Sequence, residues 1–96
     1  MNKKIIPLTA LKDGESAIIV SIDGTGRGQE RWGIKKRLMD MGLTPGTKIT
    51  VVKSVPFHGP IEIIVRDTRL ALGRGIAERI LVEVEEKWLK KDFILL

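Results

Sequence analysis

Any proton-transfer or nucleophilic chemistry in this chain would have to be built around His58, because its 96 residues include one histidine, no cysteine and no tyrosine. A nucleophile needs an adjacent base to activate it. His58 stands in Pro56-Phe57-His58-Gly59-Pro60, where two prolines forbid a paired central strand and make the segment a connection. An exposed imidazole is the ordinary occupant of such a turn. Glu83, Glu85 and Glu86 are close in sequence, but 83 and 85 alternate onto the solvated face of a terminal strand and read as solubilising charge. This inventory points away from catalysis.

Metal ligation is only slightly better served. Transition metals favour histidine nitrogen and cysteine sulfur, and hard cations need several convergent oxygens. His58 is the weak candidate, and a divalent transition-metal site would have to be shared between copies. No other cofactor is expected. Gly24-Thr25-Gly26-Arg27-Gly28 invites comparison with phosphate-binding loops, yet its spacing matches neither the dinucleotide fingerprint nor the P-loop. Arg27, Arg31, Lys35, Lys36 and Arg37 form a basic cluster. RNA-binding barrels usually add aromatic stacking platforms, and only Trp32 lies nearby, so no nucleic acid is expected as the main partner.

The elements that must position these residues are short. With 43% hydrophobic and 30% charged residues, the chain has the balance of a folded globular domain. No apolar run approaches the roughly 18 residues that cross a bilayer, and the basic N-terminus lacks the apolar stretch of a signal peptide, so a cytoplasmic location is expected. Without cysteine there is no disulfide, and with two Trp and two Phe the core must be aliphatic. Seventeen Lys and Arg against twelve Asp and Glu give a net charge of +5, which permits attraction to polyanions or to an acidic protein face.

Ten glycines and four prolines fall between short apolar segments, the pattern of an all-β barrel. Leu8 to Leu11 reads as one helical turn and Asp13-Gly14 as a turn. Residues 17–22 read as a largely buried strand, and 23–33 as a mobile Gly/Arg loop. Ile34, Leu38 and Met41 are spaced i, i+4, i+7 and predict a short amphipathic helix over 34–41, laid on the barrel mouth by Leu38, Met41 and Leu43. Gly42 fits the left-handed position after the helix, with Leu43 making the apolar contact of a Schellman cap. Pro45-Gly46 suits a type II turn. Strands follow at 47–52, 61–66 and 80–84, with a hairpin turn at Asp67-Thr68, Leu70 and Leu72 inward on the return, and a helical turn at 73–78. The expectation is a small barrel of about five strands with one short α-helix.

The tail, 86–96, stands apart from the domain at 1–85. Leu89, Phe93 and Leu96 share a helical face with Trp88 beside it and lysines between, and these side chains need cover from this barrel or from a second copy in a homo-oligomer, with a different protein or the membrane surface as the alternative.

Arg-Leu-Met-Asp-Met-Gly-Leu-Thr-Pro-Gly-Thr-Lys-Ile (37–49), followed by Pro-Phe-His-Gly-Pro-Ile-Glu-Ile (56–63), Arg-Leu-Ala-Leu (69–72) and Ala-Glu-Arg-Ile-Leu-Val-Glu (77–83), closely resembles the ferrous iron transport protein A family. The likeness covers roughly residues 6–85, and the same fold recurs in iron- and manganese-dependent repressors. The resemblance implies an SH3-like barrel. It also implies a cytoplasmic accessory or regulator, peripheral at the inner membrane through the ferrous iron transporter, whose cytosolic part is a G-domain. Transition-metal binding is associated with the family, but no ligand motif carries over. The expected contact surface is Pro56, Phe57, His58 and Pro60 with Arg27, Arg31, Lys35, Lys36 and Arg37. The alternative, a nucleic-acid-binding or repressor-associated SH3-like domain, is weakened because no winged-helix segment precedes the barrel.

Overall fold

The computed structural model describes residues 3–23, 28–57 and 59–85, with backbone alone at 28–32 and 85. In chain order the elements are β1 (Lys3–Pro7), a 3-10 turn (Leu8–Ala10), β2 (Ser16–Ile22), α1 (Gly28–Asp40), β3 (Lys48–Ser54), β4 (Ile61–Val65), β5 (Thr68–Leu72), α2 (Arg74–Ala77) and β6 (Ile80–Glu85). The strands form one sheet in the order β1-β6-β2-β3-β4-β5, and every neighbouring pair is antiparallel.

The sixth strand is β1. Its first three residues are exposed, so it offers no buried alternation to read. It holds its place by backbone pairing, from Lys3 opposite Glu85 to Pro7 opposite Leu81. Lysines and a terminal proline suit a sheet edge, where they discourage pairing with a further strand.

The core is wholly aliphatic among the described residues, as the composition requires. Leu8, Leu11, Ile19, Leu43, Ile49, Val51, Ile61, Ile63, Val65, Ile80 and Val82 all have little or no solvent contact. Burying each leucine or isoleucine contributes roughly 1.5–3 kcal/mol. Alternation places 49 and 51, then 61, 63 and 65, then 80 and 82 inward, as the pattern predicts.

β2 departs from its expected burial. It is half-exposed: Ile18 and Val20 face outward at 38% and 36% exposure, while Ala17, Ile19 and Ile22 are buried. The inward parity changes because the pairing with β6 slips between Ile19 and Ser21. One extra residue at a bulge turns the rest of the strand over. A similar slip lies between Val51 and Lys53.

The helix also differs from expectation. It begins at Gly28, inside the expected loop, and ends at Asp40. Met41 falls beyond it and is 38% exposed, so Met41 does not join Leu38 and Leu43 in the core. Gly42 at φ +94° redirects the chain, and Leu43 enters the core where continued helical periodicity would have placed Met41. The β4–β5 turn is centred on Arg66-Asp67, both with positive φ, one residue earlier than expected. Thr68 already belongs to β5.

Candidate partner-binding site

The β3–β4 loop, 55–60, is built from its base outward. The Val55 N–H donates to the Pro60 carbonyl at 3.1 Å, closing the neck, and the Gly59 N–H donates to the Pro56 carbonyl at 3.3 Å. Asp13 Oδ1 accepts from the Ser54 N–H at 2.9 Å. From the other side Arg74 Nη2 donates to Ser54 Oγ at 2.9 Å and to the Val55 carbonyl at 3.1 Å. Two segments distant in sequence thus grip the root of one loop.

Within the loop the chain is tight. A Cβ at Gly59 would lie 2.5 Å from Val55 Cγ1, closer than any ordinary contact, so the residue there must be glycine for the loop to close this way. Phe57 has φ +60°, a conformation costly for a bulky side chain. It is 96% exposed. Pro56 and Pro60 flank it, both exposed. A large apolar ring is therefore presented to solvent by a braced loop.

The basic candidates lie elsewhere. Lys36 and Arg37 are exposed and Lys35 half-buried on α1, while Leu38 and Ile34 face the core. α1 leads through the Pro45-Gly46 turn into the start of β3, whereas the 55–60 loop leaves its end. A strand of seven residues separates the two by about 20 Å. The loop and the C-terminal end of α1 thus join opposite ends of β3. Arg27, His58 and the tail with Trp88, Leu89, Phe93 and Leu96 lie outside the described residues, as does the side chain of Arg31.

Of the structural motif residues, Leu38 and Leu43 are buried, Met41 is 38% exposed, and Gly42 has positive φ. Gly46 has φ +89°, and the Thr47 N–H donates to the Thr44 carbonyl at 3.1 Å across Pro45-Gly46. Arg66 Nη2 reaches Thr47 Oγ1 at 3.3 Å and Thr44 Oγ1 at 3.5 Å, and its Cδ would lie 3.6 Å from a Cβ at Gly42.

Among the described residues no three His, Cys, Asp or Glu side chains cluster to hold a metal, and no buried polar side-chain atom lacks a partner. A further depression, whose lining includes Glu15, Ser16, Ile18, Lys48 and Glu83, contains none of the candidate residues. The supports Asp13, Ser54 and Arg74 carry no local sequence signal, because their contacts span 19 to 41 residues. Gly59, between a turn and a proline, was the one local signal.

This architecture defines an SH3-like β-barrel with a braced, protruding loop. The chain belongs to the FeoA domain family, whose model matches residues 6–84; it is a family of ferrous iron transport. A protein of Methanocaldococcus jannaschii named for Fe(2+) transport protein A is 35% identical over 80 residues, covering 83% of this chain and 88% of that one. A Porphyromonas gingivalis protein named as a fusion of Fe(2+) transport protein A with the Fe(2+) transporter FeoB is 34% identical over 77 residues. That match covers 80% of this chain and 8% of the fusion. Among solved structures, Stenotrophomonas maltophilia FeoA complexed with zinc, described as a procaryotic SH3 domain protein, superposes with TM-score 0.70 at 25% identity, covering 83% of this chain and 96% of that one. A manganese-dependent transcriptional repressor gives TM-score 0.72 at 18% identity, over 85% of this chain and 42% of the repressor. That likeness concerns the fold alone.

Proposed function

We propose that this protein is a non-catalytic accessory module of ferrous iron uptake that acts by binding the cytosolic part of the membrane iron transporter. The observation that carries this reading is the Porphyromonas gingivalis fusion, in which a relative of this domain and the transporter share one chain. Fusion joins units that work together. The module works at the cytoplasmic membrane surface, held there by its partner, as the fusion of its relative to the transporter suggests. Phe57 and its flanking prolines supply one contact. The basic face of α1, with Lys35, Lys36 and Arg37, supplies a second, which steers the module toward an acidic surface.

The experiment is co-purification of the tagged chain with the transporter from native membranes, with and without guanine nucleotide. The intact chain co-purifies. A variant carrying Phe57→Ala, Arg31→Glu and Arg37→Glu folds and does not. Unchanged recovery of that variant rejects these contacts.

A further inference from the structure

We infer that the β3–β4 loop is a preformed plug: Phe57 inserts into a concave apolar pocket of the transporter, and Arg74 is the positioning residue that holds it ready. The inference rests on the accessory reading above and specifies how that contact is made.

Three observations converge on it. Phe57 is almost wholly exposed while every other large hydrophobic among the described residues is covered to a much greater degree. Its backbone is held in a left-handed conformation that glycine or asparagine would adopt more readily. That residue occupies the first central position of the turn closed by the Gly59 N–H on the Pro56 carbonyl, and a bulky side chain stays in such a conformation only where the surrounding structure imposes it. The surroundings here are Arg74 on Ser54 and Val55, Asp13 on Ser54, and a close fit beside Val55 that leaves no room for a Cβ at Gly59. Bracing of this kind lowers the ordering cost when an aromatic anchor enters a fixed pocket. A fluid lipid surface gains little from a preset geometry, so a protein pocket is the occupant that the rigidity favours.

The test measures affinity of full-length variants for the detergent-solubilised full-length transporter, alongside thermal unfolding of each variant. Phe57→Ala weakens binding by about thirtyfold or more, the scale of an interface hot spot. Phe57→Gly weakens it equally yet unfolds at the same or a higher temperature, because glycine relieves the positive φ; a merely structural phenylalanine would show the reverse. Arg74→Gln keeps the ring but loosens the loop, weakening binding about three- to tenfold through faster dissociation. Arg74→Lys, which retains one donor, recovers part of the loss. Gly59→Ala weakens binding with Phe57 still present. Full affinity in both Phe57 variants overturns the plug, and full affinity in Arg74→Gln and Gly59→Ala overturns the bracing. Phe57-dependent binding to phosphatidylglycerol–phosphatidylethanolamine vesicles would place the ring in lipid and likewise overturn the inference. Failure of the intact chain to bind the transporter at all overturns the accessory reading itself.

Discussion

The backbone N–H of Leu43 donates to the carbonyl of Leu38 at 3.0 Å, a reach back of five residues across the end of α1. With the Gly42 N–H on the Met39 carbonyl, also at 3.0 Å, this completes a Schellman cap, and both leucines carry their side chains into the core. One glycine thereby ends the helix, redirects the chain and supplies the core with a leucine.

Gly42→Ala therefore costs stability through φ alone, since the nearest atom to an added Cβ would be at an ordinary 3.6 Å. A left-handed alanine costs about 1–2 kcal/mol. Each kcal/mol lowers the melting temperature by roughly 4–8 °C in a domain of this size. Thermal unfolding followed by circular dichroism checks this, and a melting temperature equal to the parent's would contradict it.

The same cap sets Leu38 and Met41 apart although helical spacing would pair them. Leu38 is 2% exposed, so Leu38→Ala should cost about 2–5 kcal/mol. Met41→Ala, at an exposed position outside the helix, should stay within about 0.5 kcal/mol of the parent. Urea unfolding of the two variants separates them; equal losses would put Met41 back in the core.

The β2 bulge makes a comparable pair of Val20 and Ile22. Val20→Thr should be tolerated, whereas Ile22→Thr, which places a hydroxyl in the core, should destabilise by about 1–3 kcal/mol. Denaturant midpoints of both decide it. A larger loss at Val20 would mean that β2 alternates without a bulge.

These contrasts show what local pattern can and cannot convey. The barrel strands at 49–51, 61–65 and 80–84 were legible because inward and outward residues alternate along one backbone. The cap at Gly42 was legible because its chemistry is local. Met41 misled because a repeat in sequence continues past the point where the helix stops. Lys3 to Pro7 gave no strand signal because an edge strand is specified by pairing with β6 and not by its own side chains. At the candidate site Phe57 and its prolines stand out as apolar residues of a loop once the SH3-like resemblance is drawn, but the bracing by Arg74 and Asp13 does not, because those partners meet only once the sheet has formed.

Charge at α1 should act on encounter more than on lifetime. Lys35→Glu with Lys36→Glu should slow association with the transporter and flatten its dependence on salt, leaving dissociation nearly unchanged. Surface plasmon resonance at low and physiological ionic strength checks this; an effect confined to dissociation would place these lysines in a desolvated interface.

On the proposed reading, this chain works by gripping another protein. Calorimetric titration of the intact chain into the detergent-solubilised ferrous iron transporter, with guanine nucleotide present, tests it most directly. Binding is expected to be saturable, and Phe57→Ala weakens it about thirtyfold or more while the variant keeps its fold. A flat titration, with no heat or complex at any accessible concentration, would contradict it.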